Sequence, residues 1–180
     1  MQLPRFSLCS QIVFALLITA FSASSALATV SFEAAKQYSA GVSPQAVAIG
    51  DLNHDGWADL VVANRGTAQG NGGSISVLLN KGDGTFERGL NYDRGGIFNS
   101  VVIRDFNHDR RLDVATTNQA TGAVDVMLGN GDGTLQSPVS FPANATESLN
   151  FLIAGDVNGD NRIDLIVADA MLRHAIGRLP

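Results

Sequence analysis

Three segments of this chain align with one another without a gap, and that repetition limits the fold more than any other feature. The first runs Val47-Ala-Ile-Gly-Asp51-Leu-Asn53-His-Asp55-Gly56-Trp57-Ala-Asp59-Leu-Val-Val-Ala-Asn64. The second starts at Val101 and places Asp105, Asn107, Asp109 and Asp113 at the same spacing. The third starts at Leu152 and carries Asp156, Asn158, Asp160 and Asp164. The leading aspartates Asp51, Asp105 and Asp156 stand 54 and then 51 residues apart. A second motif follows the first two segments: Asn80-Lys-Gly-Asp83-Gly84-Thr-Phe86, and Asn130-Gly-Asp132-Gly133-Thr-Leu135.

Short runs rich in Val, Ile and Leu flank each aspartate cluster. Ala46–Ile49 leads in and Leu60–Ala63 leads out, both of strand length and bounded by turn residues. The Asp-Gly pairs at 83–84 and 132–133 are hairpin signals. Each unit therefore reads as strand, aspartate loop, strand, polar loop, strand, Asp-Gly turn, short strand. Four short strands in roughly 50 residues is the size of one propeller blade. The fold expected is all-β, a partial β-propeller of about two and a half to three four-stranded blades. The units fall near 38–90, 91–140 and 141–180, the last incomplete. After Asp169 the sequence offers no third strand and no Asp-Gly turn, and helical spacing is confined to this C-terminal tail.

The aspartate loops have the chemistry of a calcium site. Asp51, Asn53, Asp55 and Asp59 take positions 1, 3, 5 and 9 of a curled loop. Calcium is a hard cation that takes six to eight oxygen ligands, and alternate side chains of such a loop can face one centre. Position 7, occupied by Trp57, Arg111 and Arg162, can add its backbone carbonyl. The corresponding ligands are Asp105, Asn107, Asp109 and Asp113 in the second loop, and Asp156, Asn158, Asp160 and Asp164 in the third. Position 6 must turn sharply. Gly56 permits that, Asn161 tolerates it, and Arg110 is disfavoured, so the loops rank first, third, second. Position 12, Val62, is no bidentate Glu and lies in a strand-like run, which excludes an EF-hand. Nothing in the loops nominates a general base, so the ion's expected role is structural.

The N-terminus reads as a secretory signal. Arg5 precedes the apolar run Ile12–Phe21, and small residues end at Ala28, with cleavage expected there. The run is shorter than the roughly 20 residues that span a bilayer. Residues 1–28 are thus assigned to a signal helix and 29–180 to the repeat domain. The lone Cys9 would leave with the signal, so no disulfide braces the product and a bound ion is the available cross-link. The net charge of −5, or −6 without Arg5, disfavours nucleic acid.

These motifs resemble the FG-GAP and VCBS-type repeats of integrin-alpha-like propellers, over about residues 38–170. The resemblance implies an exported propeller with calcium in the hairpin loops, used for adhesion or for recognition of an extracellular protein or glycan. It implies no membrane span beyond the signal. Too few units are present to close a ring, so the array either belongs to a longer chain or is completed by further copies. Two other readings stand beside this one. The chain is an accessory or fragment of a propeller-based polysaccharide lyase or hydrolase, or it is a truncated remnant. A catalytic cluster would favour the enzyme, and Tyr38, Tyr92 and the lysines are scattered.

Remaining features have plain readings. His54 and His108, at position 4 of their loops, and the isolated His174 read as surface residues. Trp57, Phe86 and Phe141 are expected in the core between blades rather than on a sugar-stacking platform. Gly66–Gly73 reads as a connection. Asn144-Ala-Thr146 fits a glycosylation acceptor.

Overall fold

The computed structural model describes residues 34–67, 72–87, 89–143 and 149–169, together with the strand Ala175–Ile176. The predicted signal, His174 and the Asn144-Ala-Thr146 acceptor lie outside the described residues. The described elements are all strands. β1 (Pro44–Gly50), β2 (Asp59–Asn64), β3 (Ser74–Leu78) and β4 (Leu90–Asp93) form a first sheet. β5 (Phe98–Arg104), β6 (Asp113–Asn118), β7 (Ala123–Met127) and β8 (Val139–Pro142) form a second. β9 (Leu149–Gly155), β10 (Asp164–Asp169) and β11 (Ala175–Ile176) form a third.

Within each sheet the strands pair antiparallel in chain order, as the turn chemistry requires. The tail departs from expectation. Ala175 and Ile176 pair with Ile166 and Leu165, so the third unit has a third strand where the sequence offered none. A two-residue strand carries no periodic signal and is set by its partner β10.

Between sheets, β5 packs beside β1 and β9 packs beside β5. Side-chain alternation then sends one set of each inner strand forward to the next sheet and the other set back. The first core joins Val61, Ala63, Ile75 and Val77 of the first sheet to Val101, Ile103, Val114 and Met127 of the second. The second joins Ala115, Val124 and Val126 to Leu149, Leu152, Leu165 and Val167. Leu52 and Phe106, both at position 2 of their aspartate loops, are buried in the first and second cores respectively. Burying one such side chain stabilises by about 2 kcal/mol.

Polar ladders run through the sheets as well. Buried Asn64 donates through Nδ2 to Ser74 Oγ and Ser76 Oγ at 3.1 and 2.8 Å. Its counterpart Asn118 donates to Asp125 Oδ2 at 2.9 Å.

Candidate metal-binding loops and an opposing cleft

Each aspartate loop is wound by its own side chains. In the first, Asp51 accepts the N–H of Asp55 on Oδ1 (3.2 Å) and the N–H of Gly56 on Oδ2 (3.0 Å). Asn53 Oδ1 accepts the same Asp55 N–H at 3.1 Å, which brings two side-chain oxygens to one point. Asp55 Oδ1 accepts from Trp57 N at 2.8 Å. The second loop repeats this: Asp105 holds Asp109 N and Arg110 N at 3.1 and 2.8 Å, and Asn107 Oδ1 accepts Asp109 N at 3.0 Å. In the third, Asp156 Oδ1 accepts from Gly159 N at 2.7 Å and Oδ2 accepts from Asn161 N at 2.8 Å. These donors hold the Asp156 carboxyl below its ordinary range, with Asn161 N–H the largest cause.

Position 9 has a different job. Asp59 is fully buried, and its Oδ2 accepts Leu52 N while its Oδ1 accepts Asn80 N, both at 2.9 Å. Asp113 likewise clamps Phe106 N and Gly129 N at 2.9 Å. Burial pushes the Asp113 carboxyl up, against the pull of those two N–H groups. Asp164 accepts Val157 N at 3.1 Å. The carboxylate at position 9 thus ties the loop to the sheet and, in the first two units, to the following hairpin.

No three His, Cys, Asp or Glu side chains among the described residues come together as a metal cage. The other side-chain oxygens of the motif are those of positions 1, 3 and 5, which in the first loop all accept hydrogen bonds from the loop itself. Asp51, Asn53 and Asp55 supply them in the first loop, Asp105, Asn107 and Asp109 in the second, and Asp156, Asn158 and Asp160 in the third. Hard oxygens converging on a wound loop suit a hydrated calcium ion, with the carbonyl of position 7 and water to complete the shell.

The second loop differs at position 7. Arg111 places Nε and Nη2 at 3.0 and 2.6 Å from Asp109 Oδ2, so a guanidinium already sits on one of its oxygens. That ion pair holds the Asp109 carboxyl below its usual range.

Two backbone positions in every loop are left-handed. Position 6 has φ of 86°, 69° and 61° at Gly56, Arg110 and Asn161. Position 4 has φ of 60°, 61° and 78° at His54, His108 and Gly159. The strain at position 4 is invisible in the histidines, although Gly159 at the same place in the third loop marks it. His54 and His108 are exposed, as expected. Trp57 is a correction: it is 52% exposed rather than core, because its indole lies over the hairpin at Gly82. Phe86 is half-buried under Tyr38, and Phe141 packs on the second core.

A second concave feature was missed in the sequence. Gln45, Asn99 and Asn150 sit at the starts of β1, β5 and β9, and with Arg65, Gln119 and Phe151 they line one open cleft. The loops follow the other ends of the same strands. Asn99 Nδ2 donates to Gln119 Oε1 and to Leu149 O, each at 3.0 Å. The signal lay in the repeat alignment: Gln45, Asn99 and Asn150 are equivalent positions, as are Arg65 and Gln119. Carboxamides at a repeated position offer both donors and acceptors to a polar ligand.

No curated protein matches the chain. The sequence profile of the FG-GAP-like repeat family matches residues 51–116 and again 105–167. The two matches overlap and together span more than half of the 180 residues. Their offset is that of the aspartate loops, and the chain belongs to the FG-GAP-like repeat family.

Proposed function

We propose that this chain is an exported, non-catalytic recognition module of propeller type whose aspartate loops bind calcium. The observation that carries the reading is the triplicate loop: three times, the N–H of position 5 is shared by the side-chain oxygens of positions 1 and 3, which gathers acidic and amide oxygens around the same wound backbone. Calcium there neutralises neighbouring carboxylates and stiffens the junction between first and second strands. Asp51, Asn53, Asp55 and the Trp57 carbonyl hold it in the first loop, with the buried Asp59 bracing the loop from behind.

Recognition falls to the opposite end of the inner strands. The cleft of Gln45, Asn99, Asn150 and Gln119, with Arg65 beside them, suits a polar extracellular glycan or protein loop. The rigid, ion-braced end then serves as the support for the binding end.

Calorimetric titration of calcium into chelator-treated protein tests the reading. Two or three ions per chain, with a rise in Tm, support it, and a chain indifferent to calcium and chelator overturns it. The mass of the exported product tests the rest, since cleavage after Ala28 leaves a chain beginning at Thr29.

A further inference from the structure

The inner strands are three copies of one element, and their covered surfaces can be compared position by position. The forward set is Ala46 and Ala48 in β1, Ser100 and Val102 in β5, Phe151 and Ile153 in β9. Ala46 and Ala48 pack on the first core and Val102 on the second. Phe151 and Ile153 are 69% and 60% exposed. Position 2 of the loops agrees: Leu52 and Phe106 are 2% and 8% exposed, and Val157 is 62% exposed.

The backward set is the mirror case. Val101 and Ile103 are buried in the first core, and Leu152 and Ala154 pack in the second. Their equivalents on the first sheet, Val47 and Ile49, are 58% and 67% exposed. Among the described residues the same forward-to-backward contact is therefore made twice, and one forward half and one backward half are exposed. The two halves belong to one interface type.

The N-terminal segment supplies a second, independent match. Tyr92 of β4 packs on the first core, and its hydroxyl accepts the N–H of Leu135 in the next sheet. Phe141 of β8 packs forward on the second core. Tyr38 occupies the same repeat position and packs edge-on against Phe86, the equivalent of Leu135, with centroids 5.2 Å apart. Val42 and Ser43 anchor this segment through hydrogen bonds from Gly66 N and Arg65 N, both 2.9 Å. Residues 37–40 thus lie where the outer strand of a preceding sheet would lie, with no such sheet among the described residues. The third sheet, in turn, has no fourth strand among the described residues.

We infer that two copies of this chain pair head to tail. The Phe151, Ile153 and Val157 face of each copy covers the Val47 and Ile49 face of the other, and residues 37–40 of each copy become the outer strand of its partner's third sheet. A forward-to-backward contact is heterologous, and such contacts form a ring when the rotation closes. Two copies of three sheets give six, within the about four to eight blades of closed propellers.

Sedimentation of the protein purified from the full chain, in calcium buffer across a hundredfold concentration range, tests this with two double variants. V47D/I49D blocks the backward face and F151D/I153D blocks the forward face, both at exposed positions. The expected result is twice the chain mass for the unmodified protein and one chain mass for either variant alone. A mixture of the two variants is expected to recover a one-to-one pair, because each still carries one intact half. That recovery also shows that both variants fold. A wild-type chain that stays single, polymers that keep growing with concentration, pairing by either variant alone, or no recovery in the mixture overturns the inference.

Discussion

The first and second aspartate loops have nearly the same hydrogen bonds and very different residues at the turn. Gly56-Trp57 in one corresponds to Arg110-Arg111 in the other. Position 1 clamps positions 5 and 6 in both, and position 9 clamps position 2 and the hairpin in both. Even the side chain at position 7 lies the same way. An added Cβ at Gly82 would meet the Trp57 indole at 3.0 Å, and one at Gly131 would meet Arg111 Cδ at 3.0 Å. The aspartates and asparagines thus dictate the backbone, and the turn residues are free to change what the loop does with charge.

The largest effect should come from position 9, where the loops are alike. Asp59→Ala and Asp113→Ala each leave two N–H groups without an acceptor, at about 1–3 kcal/mol apiece when buried. We expect each to cost about 3 kcal/mol of stability in calcium-free buffer, measured by urea denaturation. Asp164→Ala should cost less, since among the described residues that carboxylate accepts from Val157 N and from no hairpin N–H. A large difference between Asp59→Ala and Asp113→Ala would break the claim that the frame is shared.

Next is the charge at position 7, where the loops differ. Arg111→Ala removes the guanidinium from Asp109 and should raise the calcium affinity of the second loop by up to about tenfold. The reciprocal Trp57→Arg should weaken the first loop by a similar factor. Titration calorimetry reads both, and unchanged affinity in either variant would mean that the ion pair and calcium do not compete.

These two positions also show what could be read from the chain alone. The loops, the inner strands and the Asp-Gly hairpins were legible because backbone hydrogen bonding there is written in the side chains: Asp, Asn and Gly at fixed spacing leave few alternatives. The inward turn of Asp59 was not legible. Position 9 looks the same in sequence whether its oxygens face an ion or the N–H groups of Leu52 and Asn80, which lie 7 and 21 residues away. Trp57 failed for a related reason: an aromatic between strands reads as core, and only the three-dimensional hairpin shows that it lies over Gly82 in solvent. β11 was missed because two residues cannot display a period.

Position 6 should give a smaller effect. Arg110 holds φ of 69°, where a non-glycine residue costs about 1 kcal/mol or somewhat more. Arg110→Gly should therefore stabilise the second loop by about 1 kcal/mol, less the entropy glycine loses on folding. Gly56→Arg should destabilise the first by a like amount. Thermal unfolding of both, run with chelator, separates this backbone term from any change in ion binding.

The smallest effect belongs to the paired hairpins, where the comparison predicts sameness. Asp83 Oδ1 accepts both the N–H and the hydroxyl of Thr85, at 2.8 and 2.6 Å. Asp132 does the same with Thr134. In both turns the threonine hydroxyl is the chief reason that the carboxyl lies below the ordinary value of 3.8. A depressed folded value means that the native state binds its proton less readily than the unfolded chain does. The contribution is thus complete above the unfolded value and is lost as pH falls through the folded one, below 3.8. Thr85→Val and Thr134→Val keep the side-chain shape and remove the hydroxyl. Each should move its aspartate upward toward 3.8 in an NMR titration and leave stability at neutral pH little changed. The two shifts should match, because each substitution removes the same hydroxyl from the same aspartate oxygen. Unequal shifts would show that the difference between the units reaches past position 7 and into the hairpin that follows it.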